Sequence, residues 1–137
     1  MWWIYTLLSA FFAALTAIFA KIGVKNVNSD LATAIRTVVI LFLAWGIAWF
    51  RGGTDTIQSL TKYNFIFLIL SGVATGLSWI FYFKALQIGE VSQVAPVDKA
   101  SVAIAIVLAV IFLGETLTLK MITGIVMIIF GTILLIH

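Results

Sequence analysis

The chain contains no cysteine, and its one histidine is the last of its 137 residues. Disulfides, thiolate nucleophiles and zinc–thiolate sites are thereby excluded, and most metal or nucleophilic chemistry with them. Charge is nearly as scarce: 8 lysines and arginines and 5 aspartates and glutamates make up 9% of the residues, where a soluble domain carries roughly 25%. So few charges cannot cover a water-facing surface without leaving apolar patches beyond the few hundred Å² that soluble monomers tolerate. No paired carboxylates, histidine cluster or nucleophile with a base can be assembled, so neither enzymatic activity nor a cofactor is expected. The lysines are scattered rather than gathered into a basic stripe, which argues against a nucleic-acid partner.

What the sequence does hold is hydrophobic, 64% of its residues, and lipid is the expected solvent. The N-terminal Met1-Trp2-Trp3 lacks the basic n-region of a secretory signal, and the apolar run behind it is long enough to cross a bilayer, so it is kept as structure. A hydrocarbon core about 30 Å thick needs roughly 20 apolar residues per helix, and five such windows occur, at about 2–20, 31–50, 65–86, 91–113 and 117–136. The first ends at Lys21, Gly23 and the polar run 25–30, whose Ser29 or Asp30 is expected to cap the second. The second carries Arg36 and stops at Arg51-Gly52-Gly53, followed by the longest polar loop, to Asn64. The third is uncharged until Lys84 and turns through Gln87-Ile88-Gly89-Glu90 into the fourth, which holds Pro96, Asp98 and Lys99 and closes at Gly114-Glu115. The fifth has Lys120 near its start. The prediction is one all-α, polytopic membrane domain over residues 1–137 with no separate soluble part.

Within these spans polarity is the functional signal, because an intramembrane charge costs at least about 2.5–3.5 kcal/mol and normally faces a cavity or a partner. Asp98 and Lys99 lie seven and eight residues into the fourth span, roughly 10–12 Å along it at about 1.5 Å per residue. Neighbouring residues point about 100° apart, so the two are not expected to neutralise each other on one face. A polar cavity, or an ion pair with Arg36 or Glu90, would receive them. Pro96 removes a helical hydrogen bond beside them and predicts a kink. Arg36 is read as close enough to the span end to reach the surface, or else as a substrate or gating group.

The third span bears Ser71, Thr75, Ser78 and Tyr82 at i, i+4, i+7 and i+11, one hydroxyl-lined stripe suited to a polar cavity. Trp79 and Phe83 occupy the adjacent stripe, for stacking on an organic substrate or for filling space. Trp2, Trp3 and Trp49 read as interfacial anchors. Rows of small residues, Ser9, Ala13 and Ala17 in the first span and Gly72 and Gly76 in the third, permit close helix approach, whether within the chain or between chains.

An odd number of spans puts the termini on opposite sides. Arg51, Lys62 and Lys120 then fall on one side and Lys21, Lys25 and Lys84 on the other, a tie under the positive-inside rule. Arg36 and Lys99 tip the balance weakly toward a cytoplasmic placement of the second side. Such indifference predicts dual topology, with two copies inserted in opposite senses, the inverted arrangement from which many secondary transporters are built.

The run Ser78-Trp79-Ile80-Phe81-Tyr82-Phe83-Lys84-Ala85-Leu86, with Gly89, Ser92, Pro96, Gly114-Glu115, Gly124 and Gly131, resembles a single EamA domain of the drug/metabolite transporter superfamily. The resemblance extends through Lys21-Ile22-Gly23 and Arg36 into the first half. Most members resemble two such five-helix units fused in inverted orientation, whereas this sequence resembles the short five-helix prokaryotic members, which implies an antiparallel homodimer or pairing with an oppositely oriented relative. It implies a multi-pass protein, best placed in a prokaryotic inner membrane, that exports or exchanges small organic metabolites by alternating access. Proton coupling through Asp98 extends that expectation. The alternatives are a non-transporting membrane subunit or scaffold, and a lipid-headgroup flippase component.

Overall fold

A computed structural model describes residues 1–136. Every regular element in it is helical, and five stretches are long and apolar enough to cross a membrane. In chain order they are α1 (Trp2–Gly23), α2 (Ser29–Phe50), α3 (Lys62–Ile88), a span formed by α4 (Val91–Lys99) and α5 (Ser101–Leu113), and α6 (Leu119–Ile136). A 3₁₀ segment, Gly53–Ser59, occupies the connection expected to be an irregular loop. Its turns are held by local bonds, Thr56 Oγ1 to the Gly53 carbonyl at 2.7 Å and Ser59 Oγ to the Thr56 carbonyl at 2.7 Å.

Helix ends follow from local chemistry. Asn28, not Ser29 or Asp30, caps α2, its Oδ1 accepting from the amides of Asp30 at 2.8 Å and Leu31 at 3.2 Å. Ser29 instead lies buried, its carbonyl accepting from Thr33 Oγ1 at 2.9 Å. Glycines in the left-handed region, Gly52 at φ 69° and Gly114 at φ 68°, stop α2 and α5, because a side chain there would crowd the backbone.

The chain separates into two compact units, residues 19–87 and residues 1–18 with 88–136. In the first, the buried apolar side chains are Ala20, Val24, Phe83 and Leu86, the last fully inaccessible. Lys21 Nζ donates to the Leu86 carbonyl at 2.6 Å. Gln87 Nε2 donates to the carbonyls of Val24, at 3.2 Å, and Val27. These bonds tie the turn after α1 to the end of α3.

In the second unit α4 packs on α6, and α5 on both. The span holding Pro96 is not one helix: at Ala100 the bonding tightens to i→i−3, from the Ala100 amide to the Val97 carbonyl and from the Ala103 amide to the Ala100 carbonyl, both 3.0 Å. The interruption falls four residues beyond the proline. Elsewhere most large apolar side chains point outward, Phe50 and Ile88 among them. In a helix that crosses a bilayer these are the lipid-facing groups.

Candidate functional site

In the unit of residues 19–87, the Asn28 cap fixes where α2 begins, and Arg36 follows seven residues after Ser29, about 10 Å along the axis at about 1.5 Å per residue. Its Cζ lies over the Trp79 ring, 4.2 Å from the centroid, and 5.3 Å from that of Phe83. Trp79 and Phe83 are four residues apart and so share one face of α3. Phe83 is buried at 3% exposure and its ring meets that of Tyr82 edge-on at 6.5 Å, while Arg36 and Trp79 are half-buried. Arg36 lies across the aromatic stripe. The Trp79 ring receives the guanidinium.

Among the described residues Arg36 forms no ion pair and no hydrogen bond. The hydroxyls near it on α2 are already committed, Thr33 to the Ser29 carbonyl and Thr37 to the Thr33 carbonyl at 2.8 Å. A guanidinium on an aromatic face gains about 0.5–2 kcal/mol, against the roughly 2.5–3.5 kcal/mol that insertion of the charge costs. Its compensation within this unit is partial.

The hydroxyl stripe of α3 is largely uncovered. Ser71, Thr75 and Ser78 are exposed and Tyr82 is half-buried. Thr75 Oγ1 donates to the Ser71 carbonyl at 2.8 Å, so its proton is engaged within the helix and its oxygen remains an acceptor. On the same helix, a methyl group added at Gly72 or Gly76 would meet nothing within 4 Å. Within this unit the Gly72 and Gly76 row is thus not used for close packing.

In the other unit Asp98 and Lys99 form an ion pair, Nζ to Oδ2 at 3.3 Å, with the side chains 35% and 60% exposed. The expectation that adjacent residues would not neutralise each other is overturned. Their Cβ directions diverge, but the four-carbon lysine arm spans the gap between adjacent positions. The pair stands at the end of α4, where the helix tightens.

Sequence reasoning missed the recess of about 630 Å³ lined by Lys21, Val24, Lys25, Asn26, Leu86 and Gln87. The available signal was Gln87, assigned to a turn although α3 continues to Ile88.

A model of the family described as the EamA-like transporter family matches residues 1–137. The chain is 47% identical over 134 residues to a Sinorhizobium protein named as an uncharacterized transporter in the cobO 3′ region, covering 98% of this chain and 95% of that one. It is 33% identical over 129 residues to an uncharacterized protein of Methanocaldococcus jannaschii, covering 94% and 91%. No solved structure matches.

Proposed function

This chain belongs to the EamA-like transporter family, and from that membership we propose that it exports or exchanges small organic metabolites by alternating access as an antiparallel homodimer. Membership itself points to a multi-pass membrane transporter rather than an enzyme. The observation that carries the finer reading is the uncovered polar face of a membrane-crossing helix, Ser71, Thr75 and Ser78, beside the glycine row Gly72 and Gly76. Lipid offers no donor to a hydroxyl oxygen such as that of Thr75, whose proton is already engaged, whereas a second copy and a water-filled cavity supply donors. An inverted pair places substrate near the midplane, where paired repeats meet.

The substrate-facing groups in this reading are Ser71, Thr75, Ser78, Trp79, Tyr82 and Arg36. In the other unit the Asp98–Lys99 pair is the polar element offered to a solute. Exchange in reconstituted vesicles tests the proposal. Vesicles loaded with a metabolite mixture are diluted into the isotopically labelled mixture and the trapped label is identified by mass spectrometry. At least one organic solute is expected to accumulate over protein-free vesicles; no accumulation of any solute would leave a non-transporting membrane subunit.

A further inference from the structure

We infer that Arg36, laid on Trp79 and Phe83, is an oxyanion receptor, so that the solutes carried are small organic anions bearing a carboxylate or a phosphate. The inference rests on the transporter reading above and narrows its substrate class. The rings lie within 4.2 and 5.3 Å of the guanidinium carbon, and a cation held over a ring by its charge leaves N–H groups that point away from that ring. The guanidinium is a planar fork of N–H donors whose geometry matches two oxygens of a carboxylate or phosphate at once. Among the described residues these donors make no hydrogen bond and meet no carboxylate. The aromatic contact limits the motion of a long side chain, so less ordering remains to be done when an anion arrives. A charge whose insertion cost is only partly met by the rings gains most from a mobile counter-charge, and a transported anion is one.

Depth separates two sources of that chemistry. Arg36 is about 10 Å from the start of α2, and Trp79, nine residues before Ile88, is about 13 Å from the end of α3. Both residues thus lie well inside their helices rather than at the ends, where lipid phosphates gather, which favours a soluble anion as the occupant.

Binding is measured on the full chain in phosphatidylcholine nanodiscs by titration calorimetry with benzoate, phenyl phosphate, benzyl alcohol and benzylammonium, which share one ring and differ in charge. Benzoate or phenyl phosphate should bind and the neutral and cationic compounds should not. Arg36→Gln should weaken the anion by about tenfold or more, as loss of a charge-assisted pair implies. Arg36→Lys, which keeps the charge and loses the fork, should bind more weakly than wild type; if Arg36→Gln does not fold, this variant and the charge series on wild type decide the matter. Equal binding of all four compounds, binding of the cation alone, or no binding would overturn the inference. So would abolition of anion binding by phosphatidylglycerol in the discs, which would make the occupant a headgroup. Uptake of the same compounds into vesicles is scored separately. Transport of a cation or neutral solute with no anion binding leaves the transporter reading standing and removes the anion class; anion binding with no solute crossing does the reverse.

Discussion

Two amides at the head of α2 are satisfied by one side chain, Asn28, and the helix it starts carries Arg36 two turns on. Asn28→Ala is expected to lower stability by about 1 kcal/mol, read as an earlier thermal transition in detergent. A variant melting together with wild type would assign the cap to another residue. Asn28, Ser29 and Asp30 are all residue types that cap helices, so composition alone pointed to the segment without picking the residue. The choice was made by burial, because Ser29 turns inward and its carbonyl takes the Thr33 hydroxyl. Arg36 was legible as an intramembrane charge. Its position on Trp79 depends on how α2 and α3 are rotated against each other, which no periodicity within one helix reports.

The span from Val91 to Leu113 shows the same division between helices. Its length and apolarity were readable from the run itself, and Pro96 flagged a distortion. The tightened turn at Ala100 was not readable, since alanine is the strongest helix former and nothing around it marks an end. What accompanies the turn lies on another helix. In a regular helix the Ala100 amide would bond the Pro96 carbonyl; here it bonds Val97, and Thr132 Oγ1 of α6 approaches the Pro96 carbonyl at 3.4 Å while also donating to Ile128 at 2.8 Å. Thr132→Val, which keeps the shape and removes the hydroxyl, should cost about 0.6 kcal/mol, the usual size of an interhelical hydrogen bond in lipid. Thr132→Ser should cost less. Reversible unfolding in mixed micelles measures both, and a Thr132→Val protein as stable as wild type would show that the hydroxyl serves only its own helix. The turn also changes winding: each residue passing from α to 3₁₀ geometry adds about 0.5 Å of rise and about 20° of rotation, so α5 presents a different face from the one a straight continuation of α4 would give it.

For the molecule as a whole, the basic residues at loops and helix ends tie at three on each side, and Arg36 and Lys99 tip that balance only weakly. Single cysteines at Val27 and, separately, at Gln58 report it without disturbing that balance, because both side chains are exposed, uncharged and outside the capping bonds. In intact cells, an impermeant thiol reagent should label about half of each population if copies insert both ways. Full labelling at one position and none at the other would assign a single orientation and require an oppositely inserted partner. The spans also differ in length: α3 has 27 residues and α6 has 18, about 40 Å and 27 Å at about 1.5 Å per residue. Both cannot match one hydrocarbon core about 30 Å thick. The longer helix must tilt or carry its ends into the headgroups, and the shorter one draws the lipid thin around it. Acyl-chain length is therefore a variable in its own right, one that the host membrane sets and to which this protein is mechanically coupled.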